Sequence, residues 1–92
     1  MDLQKIIFQN VQEIINENDP IGLVNGGAPD DEYHAEIGKI VSVLREESER
    51  EKLAQKVAAI FKVSFGEDVE VNNDLYLQIA DKLLELKNRL RW

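Results

Sequence analysis

Apolar residues recur at three- and four-residue spacing in four separate stretches of this chain, which is the period of an amphipathic helix. In residues 2–17, Leu3, Ile6, Ile7, Val11, Ile14 and Ile15 share one broad face, leaving Lys5, Asn10, Gln12, Glu13 and Glu17 largely on the other. Asn16, Asn18, Asp19 and Pro20 end this helix, because the residue before a proline is pushed out of the α region. A second helix is expected from near Pro29 or Asp30 to about Glu46, burying Tyr33, Ile37, Ile40, Val41 and Leu44. Pro29 suits a first turn, and Asp30, Asp31 and Glu32 place negative charge at the positive end of the helix dipole. Gly38 costs roughly 1 kcal/mol against alanine at a helical position, so a neighbouring helix or the preceding loop is expected to approach it closely.

The third helix has the clearest start signal. Ser48 followed by Glu51 matches a capping box, in which each side chain satisfies the other's free backbone N–H. Leu53, Val57, Ile60, Phe61 and Phe65 carry its core face, and Gly66 is placed to stop it. The fourth helix is predicted to start at Asn72 or Asn73 and to run past Leu75, Ile79, Leu83, Leu86 and Leu90, with Ala80 and Leu84 widening the face.

Two stretches interrupt the helical period. Residues 18–29 hold Pro20, Pro29, Gly22, Gly26 and Gly27, which rules out a regular element. Ile21, Leu23 and Val24 are too apolar for a free linker and are expected to tuck under neighbouring helices. Residues 67–72 read as a loop with Val69 and Val71 partly buried. The fold class that results is all-α, an antiparallel four-helix bundle-like single domain over residues 1–92, with a long structured loop between helices 1 and 2.

A chain of 92 residues forms one small domain, and it contains no cysteine to supply a disulfide, a thiolate ligand or a thiol nucleophile. Its opening residues lack a basic region followed by an unbroken apolar run, and no stretch nears the roughly 20 apolar residues that span a bilayer. The expectation is a soluble, cytoplasmic protein with no membrane partner.

Charge refines this picture. The net charge is −7. Residues 1–46 carry nine acids (Asp2, Glu13, Glu17, Asp19, Asp30, Asp31, Glu32, Glu36 and Glu46) against Lys5, Lys39 and Arg45, whereas residues 47–92 are nearly balanced. An acidic front half repels phosphates and argues against nucleic acid as a partner. It suits a protein with a basic surface, since complementary fields speed encounter and suppress wrong pairings.

Candidate chemistry is sparse. His34 is the only histidine, so no pair of histidines can hold a metal, and beside Asp30 and Asp31 it reads as a surface residue. Neither Asp30-Asp31-Glu32 nor Glu67-Asp68-Val69-Glu70 has the alternating ligand spacing of a calcium loop. Gly26-Gly27 lacks the preceding strand and the lysine of a phosphate loop, and three acids follow it closely. Paired carboxylates doing acid–base work need a cleft that shifts their pKa values, which a helical domain of this size seldom encloses. No enzyme, metal or cofactor is expected.

One series of residues carries a family resemblance. Asp19-Pro20-Ile21-Gly22-Leu23, Gly27-Ala28-Pro29, Asp31-Glu32-Tyr33 and Glu36-Ile37 resemble the signature of a family of small bacterial proteins, domain of unknown function 1871. The Phe65-Gly66-Glu67-Asp68 turn before the last helix is similar too, so the resemblance covers most of the chain. The chain departs from the family pattern at Asn18, where a tryptophan often stands, and at His34, where an aspartate does. The resemblance implies an all-helical fold and suggests that Asp19, Pro20, Asp31, Glu32 and Tyr33 act as a unit.

The loop and helix start between residues 18 and 36 exceed what a turn between antiparallel helices requires, and structured loops of this kind often carry recognition. The leading expectation is a non-enzymatic acidic module that binds another protein through Asp19, Pro20, Asp30, Asp31, Glu32, Tyr33 and Glu36, in its sharpest form an inhibitor or immunity-type protein. Two other classes stand beside it. One is a self-associating structural subunit, a dimer or a scaffold element using the last helix and Leu90–Trp92, with monomer and homodimer both open for the chain. The other is a weak metal- or ligand-binding protein using the carboxylates.

Overall fold

A computed structural model describes residues 2–18, 34–66 and 73–91. Helix α1 spans Leu3–Asn18, α2 His34–Glu46, α3 Arg50–Phe65 and α4 Asn73–Leu90, and no strand occurs among the described residues. The chain is an all-α, bundle-like domain. Helices α1 and α3 each pack on both α2 and α4, α2 and α4 meet across the middle, and the backbones of α1 and α3 do not approach each other closely.

Periodicity places the core where the pattern of apolar residues implies. Ile7, Val11 and Ile15 of α1, Ile37, Ile40, Val41 and Leu44 of α2, Leu53, Val57 and Phe61 of α3 and Ile79, Leu83 and Leu86 of α4 belong to one buried cluster. Leu3 departs from the pattern and stays 43% exposed at the start of α1. Tyr76, absent from the expected stripe, is buried, and its ring tilts against Phe61 at 6.1 Å between centroids. Burial pushes its phenol pKa up.

The helix ends show how local chemistry sets the boundaries. Asp2 caps α1, its carboxylate accepting the backbone N–H of Lys5 at 3.3 Å. At the other end, the Asn18 side-chain amide donates to the Ile14 carbonyl at 2.7 Å, satisfying one of the carbonyls a helix terminus leaves open. Gly66 ends α3 at φ 98°, a conformation a side chain would strain, and its N–H returns to Lys62 O at 2.9 Å.

Two expectations are corrected. The capping box at Ser48 does not form. Helix α3 starts one residue later, with extended Glu49 at the cap position and no side-chain cap. The Ser48 hydroxyl is engaged elsewhere, 3.1 Å from Lys87 Nζ of α4. At Gly38 the neighbouring helix does not approach, since a Cβ built there meets no atom of the described residues within 4 Å, and the preceding loop, the other expected neighbour, lies outside those residues. The expected start of α2 at residues 29–33, with Tyr33 in its buried stripe, lies outside the described residues, as do the 18–33 loop beyond Asn18 and the 67–72 turn.

Candidate interaction surfaces

Helix α4 organises the surface because it touches every other helix. Its 3.6-residue period sends Tyr76, Ile79, Ala80, Leu83 and Leu86 inward and turns two different stripes outward, one toward α3 and one toward α1.

Toward α3, Asn73, Tyr76 and Leu77 face Glu51, Ala54, Gln55, Ala58, Ala59 and Lys62 across a groove of about 460 Å³. On the α3 side, Ala58 and Ala59 present only methyl groups to the groove, and Ala54 lies buried at its floor. Arg50 Nε donates to Asp81 Oδ1 at 2.6 Å and ties the first turn of α3 to α4. Both side chains are about half exposed, so this pair adds little stability.

Toward α1, Lys82, Glu85, Leu86 and Arg89 face Asn10, Glu13, Ile14 and Glu17 across a cleft of about 290 Å³. Charges of both signs line it, yet no ion pair joins them among the described residues. The Asn10 side-chain amide is already committed, donating to the Ile6 carbonyl at 2.8 Å.

Lys87 of α4 reaches across to the end of α2. Its ammonium lies at the C-terminal end of α2, 2.7 Å from Leu44 O, 3.4 Å from Arg45 O, 3.2 Å from Glu47 O and 3.1 Å from Ser48 Oγ. Three N–H groups are thus shared among four acceptors. A cation here opposes the negative end of the α2 dipole and satisfies carbonyls that α2 cannot pair itself. No local pattern announces this, because the partners lie about forty residues upstream. Beside it, Glu47 accepts from Lys56 Nζ at 2.9 Å and from the backbone N–H of Glu49 at 3.2 Å. The Lys56 hydrogen bond, then that from Glu49, holds the Glu47 carboxyl below the usual glutamate range.

Of the seven residues expected to contact a partner, Asp19, Pro20, Asp30, Asp31, Glu32 and Tyr33 lie outside the described residues. Glu36 lies in the first turn of α2 and is only 7% exposed, facing the interior rather than presenting its carboxylate to solvent. Its Oε2 has no hydrogen-bond partner among the described residues. Its neighbour His34 is exposed, with its ring tilted on Phe8 of α1 at 4.8 Å.

Among the described residues, no group of three or more histidines, aspartates or glutamates is placed to hold a metal ion. No helix among them is long and apolar enough to cross a membrane. No curated protein and no solved structure matches the chain. A family model described as a domain of unknown function, DUF1871, matches residues 10–91. That span covers α1 from Asn10 onward and the whole of α2, α3 and α4, so the protein belongs to the DUF1871 family.

Proposed function

We propose that the protein is a non-enzymatic binding module of the cytoplasm that engages a protein with a basic surface through its acidic segment at residues 18–36. Asp19, Pro20, Asp30, Asp31, Glu32 and Tyr33 form the contact set. Glu36, buried in the first turn of α2, closes the same segment. The observation that carries this reading is the charge asymmetry of the chain, nine acids against three bases in residues 1–46 of a protein whose net charge is −7. Glu13 and Glu17 extend the same sign along the α1 side of the cleft with α4. An acidic face of this kind speeds capture of a cationic partner and discriminates against anionic ones. An inhibitor or immunity-type role, in which the module covers the cationic site of another protein, is the sharpest form of the reading.

The test is capture from native-cell lysate by wild type and by the Asp31→Lys, Glu32→Lys double variant. Wild type is expected to retain a basic protein that the variant does not. Retention should also fall as ionic strength rises past about 0.1 M, where the screening length is about 10 Å. Equal recovery by both proteins at every salt concentration contradicts the assignment of this segment.

A further inference from the structure

The α3 side of the α3/α4 groove is its own mirror in an antiparallel pairing. Its six lining residues are Glu51, Ala54, Gln55, Ala58, Ala59 and Lys62. Laid against a second copy running the other way about a two-fold axis between Lys56 and Val57, Glu51 meets Lys62 of the second copy. Gln55 then meets Ala58, while Ala54, buried in the core of its own chain, forms the floor beneath exposed Ala59. Each residue of the seam Glu51, Gln55, Ala58 and Lys62 finds a partner within the same set.

The central seam of Glu51, Gln55, Ala58 and Lys62 has spacings of four, three and four. That is the repeat that keeps one helix face in register with another over several turns. It reads identically in both directions, as a two-fold interface demands, because such an interface uses the same patch twice.

The chemistry of the ends decides the occupant. Glu51 and Lys62 are separated by about 16 Å along one face of α3, at the helical rise of about 1.5 Å per residue. Both are exposed, and neither makes an ion pair with any described residue of its own chain. Their opposite signs at opposite ends of the groove match a second copy of the same helix in reverse. Between them the alanines allow the two backbones to approach closely, and half-buried Leu77 with Tyr76 supplies the apolar wall.

We infer that the chain forms a two-fold homodimer in which α3 of each copy lies antiparallel in the α3/α4 groove of the other, with two reciprocal Glu51–Lys62 pairs closing the ends. This interface involves neither the acidic 18–36 segment nor the terminal Leu90–Trp92.

Sedimentation velocity over a concentration series tests it, with wild type, the single variants Glu51→Lys and Lys62→Glu, and the double variant Glu51→Lys, Lys62→Glu. Each single variant turns both end pairs from attraction to repulsion, and dimerisation is expected to weaken about tenfold. The double variant restores both pairs with their signs reversed and is expected to return to within about threefold of wild type. Circular dichroism of each variant separates loss of association from loss of folding, and both substituted positions are exposed. A wild type that stays monomeric at every concentration overturns the inference. So do single variants that dimerise as wild type does, and a double variant no better than the single ones.

Discussion

The two flanks of α4 are built on different principles. On the side toward α2 and α3, specific polar ties reach across the fold: Arg50 to Asp81, and Lys87 to the end of α2 and the turn that follows it. On the side toward α1, three carboxylates and two cations share a cleft without pairing. Helix α1 is therefore held on α4 chiefly by its apolar stripe of Ile7, Val11 and Ile15, all essentially fully buried. Directional contacts fix how α2, α3 and α4 meet. Between α1 and α4, no ion pair joins the charged residues of the cleft among the described residues, and non-directional burial carries the contact.

The largest expected effect tests that contrast at its centre. Lys87→Met keeps the length and apolar stem of the side chain and removes the ammonium from the Leu44 and Glu47 carbonyls. Hydrogen bonds to a charged group contribute about 1.5–3 kcal/mol, so urea denaturation should show a loss of about 2 kcal/mol. On the other flank, Lys82→Ala and Arg89→Ala should each stay within about 0.5 kcal/mol of wild type. Comparable losses at all three positions would erase the distinction between the flanks.

A smaller effect of opposite sign is expected at Gly38. With open space around it among the described residues, Gly38→Ala should raise stability by about 0.5–1 kcal/mol through helix propensity and a less flexible unfolded chain. A loss measured by the same method would place the loop before α2 against this position.

The smallest effect is electrostatic and belongs to the α2–α3 turn. The Glu47 carboxyl has a folded pKa held below the usual 4.5 by Lys56 and by the Glu49 N–H. A depressed folded pKa contributes stability that is complete above the unfolded value and is lost as pH falls through the folded one. The advantage of wild type over Glu47→Gln in thermal melts should therefore be present at neutral pH and shrink as the solution is acidified below about 4.5. An advantage unchanged in acid would assign the effect to something other than this carboxylate.

These contrasts differ in how far the sequence announces them. The helices were legible because Ile7, Val11 and Ile15, or Leu53, Val57 and Phe61, repeat at the helical period, and burial follows that period directly. Gly66 was legible because a glycine after an apolar helical run has one common use. Ser48 misled because its capping signal is local, whereas its hydroxyl meets Lys87, thirty-nine residues away. Lys87 itself resembled an ordinary surface lysine for the same reason. Tyr76 was missed because the leucines around it define a stripe without it, although it faces Phe61 one helix away. Of the residues assigned to partner binding, Glu36 shows the limit of reading acids as surface: a glutamate in the first turn of a helix can still be buried.

The account turns on α4 having one flank suited to a second copy and another that is not. An NMR dilution series on the wild-type protein measures this most directly. It should show amide resonances of Gln55, Ala58, Ala59 and Leu77 moving with concentration while those of Asn10, Glu13, Glu85 and Arg89 hold still. Movement confined to the α1/α4 cleft, or no movement at any concentration, would contradict it.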